Sequence, residues 1–170
     1  MSRYHIAHAK IAQGDPYVSD ETGEPLVVYH GSATDFDAFE PGHGSGWSVP
    51  RKGFYFTDDR RAAEEFGGVV KAFNLRMRNP LDLRGESSLA EYLAVADRVP
   101  WLAQALRDED IESVHGAVGG GYAQSDDFVD AAKDAGYDAV IMPDRLGGPT
   151  GLHFDSYIVF EPSQIMPFSA

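Results

Sequence analysis

Strand-forming segments occupy the first and last thirds of this chain, and a helical block lies between them, which restricts the fold more than any other feature of the sequence. Runs of β-branched and aromatic residues predict strands at 26–30, 53–57, 69–77, 137–142 and 154–161. Helical patterns predict helices at 58–67, at 87–115 with a break at Pro100, and at 125–136. Strands and helices grouped in this way predict an α+β fold.

Two of the helices carry recognisable end signals. Ser125 is predicted to cap the last helix, which has acids in its first turn and Gly136 just beyond its end. Thr57 or Asp58 is predicted to cap the helix that follows the second strand.

The composition predicts one domain and excludes several classes of partner. The 170 residues include no cysteine and carry a net charge of −13, which disfavours bulk binding to nucleic acid. No apolar run approaches the roughly 18 residues of a membrane helix, and no secretory signal is present, so we expect a cytoplasmic protein without a membrane partner. Residues 1–24 are predicted to form an N-terminal extension that packs on a domain spanning 25–170.

The first strand ends on an ionisable ring, because "LVVYH" stops at His30 and Gly31 and Ser32 follow at once. A histidine at a strand end is more often structural than functional. Tyr55 lies in the second strand and Phe66 eleven residues later, so that two aromatic rings could hold a flat ligand between them, unless both pack in the core. The six histidines show no spacing typical of metal ligands, and we expect no metal site.

The order of these motifs resembles the ADP-ribosyltransferase superfamily, in its His-Tyr-Glu branch of diphtheria-toxin-like enzymes and poly(ADP-ribose) polymerases. The likeness is closest to the ADP-ribosyltransferase domains of phage and mobile-element polyvalent proteins. The motifs that carry it span about residues 20–166 and are "DETGEPLVVYHGSATDFDAFEPG", "GFYFTDDRRAAEEFG", "FNLRMRNPLDL", "AGYDAVIM" and "YIVFEPSQI". The resemblance implies two small, roughly orthogonal β-sheets that form a central NAD cleft and are flanked by helices.

The resemblance also implies roles for individual residues towards NAD, the substrate. His30 would hydrogen-bond ribose hydroxyls, and the backbone of Gly31 would bind the nicotinamide amide, which a side chain there would obstruct. Ser32 would add its hydroxyl to the same amide. Tyr55 would stack on the nicotinamide ring, and Phe66 would close from the other side.

The sequence departs from this family on the last predicted strand, where Ser156 stands at the position of the catalytic glutamate. Ser156 is therefore a candidate catalytic position without its carboxylate. Side chains alternate along a strand, so Asp155 faces away from Ser156 unless a bulge turns it or the strand begins at 156. Asp155 is nonetheless the candidate displaced acid, and Asp144, in the preceding predicted loop, is another possible donor.

The resemblance implies an NAD-dependent mono-ADP-ribosyltransferase that releases nicotinamide and modifies an acceptor macromolecule, with protein favoured. Ser156 leaves open a catalytically silent module that binds NAD or ADP-ribose, or an NAD glycohydrolase. A further alternative is an unrelated α+β partner-binding domain whose histidine and aromatic residues belong to the core.

Overall fold

The computed structural model describes residues 18–40, 52–118, 122–147 and 151–169. Within these ranges the strands are β1 Val28–Ser32, β2 Phe54–Thr57, β3 Val69–Leu75, β4 Pro80–Asp82, β5 Ala139–Arg145, β6 His153–Val159 and β7 Ile165–Pro167. The α-helices are α1 Arg60–Phe66, α2 Leu89–Ala96, α3 Pro100–Asp108, α4 Val114–Val118 and α5 Asp126–Asp134. The predicted extension lies largely outside the described residues, and its packing stays a prediction.

The strands form one mixed sheet in the order β4-β5-β6-β2-β1-β3-β7, flanked by helices, and this confirms the α+β prediction. Where two small sheets were expected, the hydrogen-bonded ladder is continuous. The neighbouring strands β1 and β2 nevertheless share one registered pair, Tyr29 with Thr57, whereas β5 and β6 share seven. This narrow junction, which we call the seam, joins the β4-β5-β6-β2 half of the sheet to the β1-β3-β7 half.

The five predicted strands are present with shifted ends, and two three-residue strands were not predicted. The parallel partner of β5 is β4, and β7 pairs with the end of β3. Both are too short to show a periodic pattern in the sequence.

The helix ends follow the local sequence closely. The Ser125 hydroxyl accepts a hydrogen bond from the N–H of Phe128 at 3.2 Å, and Gly136 has a φ of +93°, as the predicted cap and end require. The predicted cap of α1 is wrong by one or two positions. The carboxylate of Asp59 accepts the N–H of Arg61 at 2.9 Å and caps this helix.

The sheet separates two hydrophobic clusters. On one face, Val140, Met142 and Ile158 pack against the helical block, which contributes Tyr92, Leu102 and Phe128 among others. The opposite face is covered by a second cluster that includes Val28, Phe54, Phe56, Phe73, Ile141, Tyr157 and Val159. The alternation predicted for β6 is therefore confirmed, since Ile158 belongs to the first cluster and its neighbours Tyr157 and Val159 to the second. No helix in the described ranges is both long enough and apolar enough to cross a membrane.

Candidate functional site

A cleft of about 560 Å³ lies against the seam. Its volume falls within the range of about 300–1,000 Å³ typical of small-molecule sites. The structure brings to this cleft every candidate site residue except Asp155: His30, Gly31, Ser32, Tyr55, Phe66 and Ser156.

The ring of His30 bridges the two strands of the seam. Its Nδ1 lies 2.7 Å from the carbonyl oxygen of Tyr55, so Nδ1 carries the proton and donates it to that oxygen. Burial lowers the pKa of His30, against the opposing effect of this hydrogen bond, and the ring is therefore neutral at pH 7. In this tautomer Nε2 is a hydrogen-bond acceptor.

Aromatic rings fix the orientation of the histidine. The rings of Phe36 and Phe39 meet His30 edge-on, with centroids 5.4 and 5.2 Å from its own, and Phe56 lies 5.6 Å away. A ring held on three sides and hydrogen-bonded at Nδ1 loses little further freedom when Nε2 binds a ligand.

The packing of α1 on β1 leaves no space for a side chain at Gly31. A Cβ atom at this position would lie 1.8 Å from the backbone oxygen of Ala63. At the end of the helix, a Cβ on Gly67 would lie 2.1 Å from the backbone carbon of Ser32. The fold itself therefore requires glycine at position 31, and the approach of a ligand to its backbone stays a prediction. The Ser32 hydroxyl, meanwhile, accepts the N–H of Thr34 at 3.3 Å at the rim of the cleft.

The two candidate aromatic residues differ in their surroundings. Tyr55 packs against the helical cluster, and its hydroxyl donates to the carbonyl oxygen of Gln124 at 2.9 Å. Phe66 lies at the end of α1 and is 48% exposed, which excludes the core interpretation for this residue. The cleft thus has one fixed aromatic wall and one solvent-facing ring.

A carboxylate stands beside Ser156, and it comes from the neighbouring strand. The Ser156 hydroxyl donates to Oδ2 of Asp144 at 2.9 Å, and the side-chain amide of Gln124 donates to the same oxygen at 3.2 Å. Asp144 was predicted to lie in a loop, but β5 continues through Pro143 to Arg145. Residues 142 and 144 share a face of the strand. The sequence signal for this carboxylate was therefore an acid two residues beyond the buried Met142. No sequence pattern indicated that Gln124 would lie in the site.

The structure does not bring Asp155 into the cleft. β6 begins at His153 without a bulge between Asp155 and Ser156, so the Asp155 side chain points to the opposite face of the sheet. There the guanidinium of Arg84 makes a long contact of 3.4 Å to Asp155, while two shorter bonds of 2.8 and 2.7 Å join it to Asp82. The condition under which Asp155 could replace the missing carboxylate is therefore not met.

Burial dominates the electrostatics of Asp155. It raises the pKa of this carboxyl to about 6, aided by the charge of Asp58 and opposed by that of Arg84. The Asp58 carboxyl accepts the backbone N–H of Asp155 at 2.9 Å, and burial raises the pKa of Asp58 as well.

Asp155→Asn is expected to change how stability depends on pH. Between the ordinary pKa of 3.8 and about 6, the folded protein binds more protons at Asp155 than the unfolded chain. This residue's contribution to stability therefore falls as the pH rises through that window and is constant above it. The free energy of unfolding of the variant minus that of the wild type should rise from about pH 4 to about pH 6 and then level off, as urea titrations at four pH values would show.

The exposed Asp134→Asn is the control for the loss of one negative charge. A curve for Asp155→Asn that is flat or falls with pH would contradict the assignment.

The described walls of the cleft carry negative but no positive side-chain charge. Asp144 and Glu40 line it, and no lysine or arginine does so among the described residues. Within the same part of the chain, no group of three histidine and acidic side chains is placed to hold a metal ion. The arrangement suits a ligand with an aromatic part, hydroxyls that can donate to a neutral imidazole, and positive charge.

The sequence matches a known protein family. A family model described as "ADP-Ribosyltransferase in polyvalent proteins" matches residues 20–168. No curated protein matches the sequence. Among solved structures, the chain is similar to one titled "Crystal structure of an anti-CRISPR protein", with a TM-score of 0.46 and 17% identity over 84% of this chain and 95% of that one. This last likeness is too distant to bear on function.

Proposed function

The chain belongs to the ADP-ribosyltransferase family of polyvalent proteins, and we propose that it transfers single ADP-ribose units from NAD to an acceptor macromolecule and releases nicotinamide. The observation that carries this proposal is the cleft, which places a neutral histidine acceptor, two aromatic walls and a carboxylate around one cavity. An acidic chain of net charge −13 favours a protein over a nucleic acid as the acceptor.

The chemistry of the cleft fits the nicotinamide riboside half of NAD. A ribose hydroxyl can donate to Nε2 of His30, whose tautomer is set by Tyr55. The flat nicotinamide ring can lie between Tyr55 and Phe66. This ring is cationic in NAD, which agrees with described walls that carry two acids and no lysine or arginine.

The bond-breaking step needs no proton transfer from the enzyme. Nicotinamide leaves as a neutral molecule and needs no general acid. The transition state resembles an oxocarbenium ion at the ribose, as in glycoside hydrolysis, and is stabilised by a nearby negative charge. Orientation of the ribose and placement of a carboxylate are therefore the two tasks left to this chain.

Binding and turnover of NAD are expected together. NAD at ten times its Kd should stabilise the folded protein by about 1.4 kcal/mol, which corresponds to a melting temperature higher by about 3–6 °C for a domain of this size. Incubation with NAD should also release nicotinamide, measured by chromatography, and label from NAD should appear on a protein in a lysate.

The alternative function, a silent NAD or ADP-ribose binding module, is motivated by Ser156 in place of an acid. It predicts the thermal shift without nicotinamide release. Release of nicotinamide without any labelled acceptor would instead identify an NAD glycohydrolase. If NAD neither stabilises the protein nor is consumed, the cleft is not an NAD site and the proposal is wrong.

A further inference from the structure

Two carboxylates line the described walls of the cleft, and their settings differ. Glu40 is exposed and lies in the segment after β1, whereas Asp144 is half-buried and stands on strand β5, paired there with β6. A charge on a rigid strand keeps its position when the ligand binds, and this is the requirement for electrostatic stabilisation of a transition state. The geometry therefore favours Asp144 over Glu40.

Three neutral donors hold the carboxylate of Asp144. The Ser156 hydroxyl and the Gln124 amide both donate to Oδ2, and the N–H of Arg145 donates to Oδ1 at 2.8 Å. No ion pair to Asp144 occurs within the described part of the chain. Its negative charge is thus oriented, and no described basic side chain pairs with it, in contrast to the acids around Arg84.

The carboxylate of Asp144 also lies about as far from the Ser156 side chain as the carboxylate of a longer acid at position 156 would extend. A glutamate there would carry Cγ where serine carries Oγ, and its carboxylate oxygens would lie about 2.4 Å from that atom by standard bond lengths. Oδ2 of Asp144 lies 2.9 Å from Ser156 Oγ. A serine on β6 and an aspartate on β5 can therefore present together what one glutamate on β6 would present alone.

We propose that Asp144 is the catalytic carboxylate of this enzyme and that Ser156 is a positioning residue that orients it, an inference that rests on the proposed function. The bond between C1′ of the ribose and the nicotinamide nitrogen breaks, and its electron pair leaves with neutral nicotinamide. The acceptor atom, or a water oxygen, bonds to C1′ and gives its proton to Asp144, which passes it to solvent. The negative charge of Asp144 stabilises the positive charge that develops on the ribose in between.

The test measures nicotinamide release from NAD, with water as acceptor, for the full chain and its variants. Asp144→Asn keeps the size of the side chain and removes its charge, and it should lower kcat about 100-fold or more with little change in KM. In that variant, Ser156→Glu should restore kcat to within about tenfold of the wild type, because a carboxylate returns to the same part of the cleft. The exposed Asp134→Asn is the matched control and should behave as wild type.

Ser156 is tested by a pair of variants. Ser156→Ala removes the hydroxyl that orients Asp144 and should lower kcat by about tenfold, whereas Ser156→Thr keeps the hydroxyl and should recover most of the rate. A merely structural role would not separate these two variants in kcat at equal melting temperature.

Two results would overturn the inference while leaving the proposed function intact. One is an Asp144→Asn variant that turns over NAD as wild type does. The other is loss of activity in Glu40→Gln but not in Asp144→Asn. A wild type that binds NAD without turnover and gains turnover with Ser156→Glu alone would instead identify the silent binding module, and it would overturn the proposed function together with the inference. If neither the wild type nor Ser156→Glu is stabilised by NAD or releases nicotinamide, the proposed function fails, and the inference fails with it.

Discussion

Gly31→Ala is expected to destabilise the fold strongly, because the new methyl group has no space. Its Cβ would lie 1.8 Å from the oxygen and 2.8 Å from the carbon of the Ala63 carbonyl. Both are backbone atoms in the middle of α1, so no rotation of a side chain can relieve the clash, and the whole helix must move away from β1. Overpacking typically costs about 1–3 kcal/mol where side chains can adjust, and we expect more than about 3 kcal/mol here, out of a total of about 5–15. The midpoint of urea unfolding measures this loss.

A second glycine in the same region provides the control. A Cβ on Gly68 would meet nothing within 4 Å, so Gly68→Ala should change the free energy of unfolding by no more than about 0.5 kcal/mol. If Gly31→Ala unfolded at the same urea concentration as Gly68→Ala, the close packing of α1 on β1 would be wrong. The cleft wall formed by Phe66 at the end of α1 would then be misplaced as well.

Features that short stretches of sequence determine were predicted well. Ser125 and Gly136 mark the ends of one helix because a hydroxyl cap and a positive φ are local requirements. The alternation along β6 separated Ser156 from Asp155 correctly, since it follows from strand geometry alone. By contrast, β4 and β7 are strands only because a longer neighbour pairs with them, and three residues carry no pattern that would reveal this.

Pro143 explains why the site acid was placed in a loop. A proline within an apolar run argues against a central strand. The pairing of β4 with β5 ends at Asp82 and Ile141, however, so that beyond Ile141 one side of β5 is an edge of the sheet, where proline is tolerated. β5 thus continues past Pro143 and carries Asp144 to a position diagonal to Ser156. This outcome depends on where another strand stops, which the local sequence does not encode.

The order of motifs located the cleft but not its internal contacts. His30, Tyr55 and Phe66 come from three separate elements and line one cavity. The hydrogen bond from His30 to the backbone of Tyr55 depends on the two strands diverging at the seam, which no single segment shows. His30 therefore has a structural role and an available acceptor at the same time, and the two interpretations offered for a strand-end histidine do not exclude each other.

His30→Asn is expected to separate these two roles, with a large effect on NAD and a small one on the fold. The side-chain amide of asparagine can take the position of Nδ1 and still donate to the Tyr55 carbonyl, but asparagine has no atom at the position of Nε2. Losing the acceptor for a ribose hydroxyl should weaken NAD binding by about 10- to 100-fold, since an unpaired polar group costs about 1–3 kcal/mol. The upward shift of melting temperature by NAD should largely disappear, while the melting temperature without NAD should fall only by the loss of ring packing against Phe36 and Phe39.

His30→Gln is the complementary variant, because glutamine can place an oxygen near the position of Nε2 while losing the donor at Nδ1. Without NAD it should melt at a lower temperature than His30→Asn, because the hydrogen bond to the Tyr55 carbonyl is lost. It should nevertheless keep more of the rise in melting temperature that NAD causes.

Acid should mimic the effect of His30→Asn on NAD binding, since a protonated imidazole offers no acceptor. Burial lowers the pKa of His30, so this loss should begin only below the usual histidine range near 6.5. A His30→Asn variant that kept the full thermal response to NAD would show that Nε2 does not bind the ligand, and His30 would then be a residue of the seam alone.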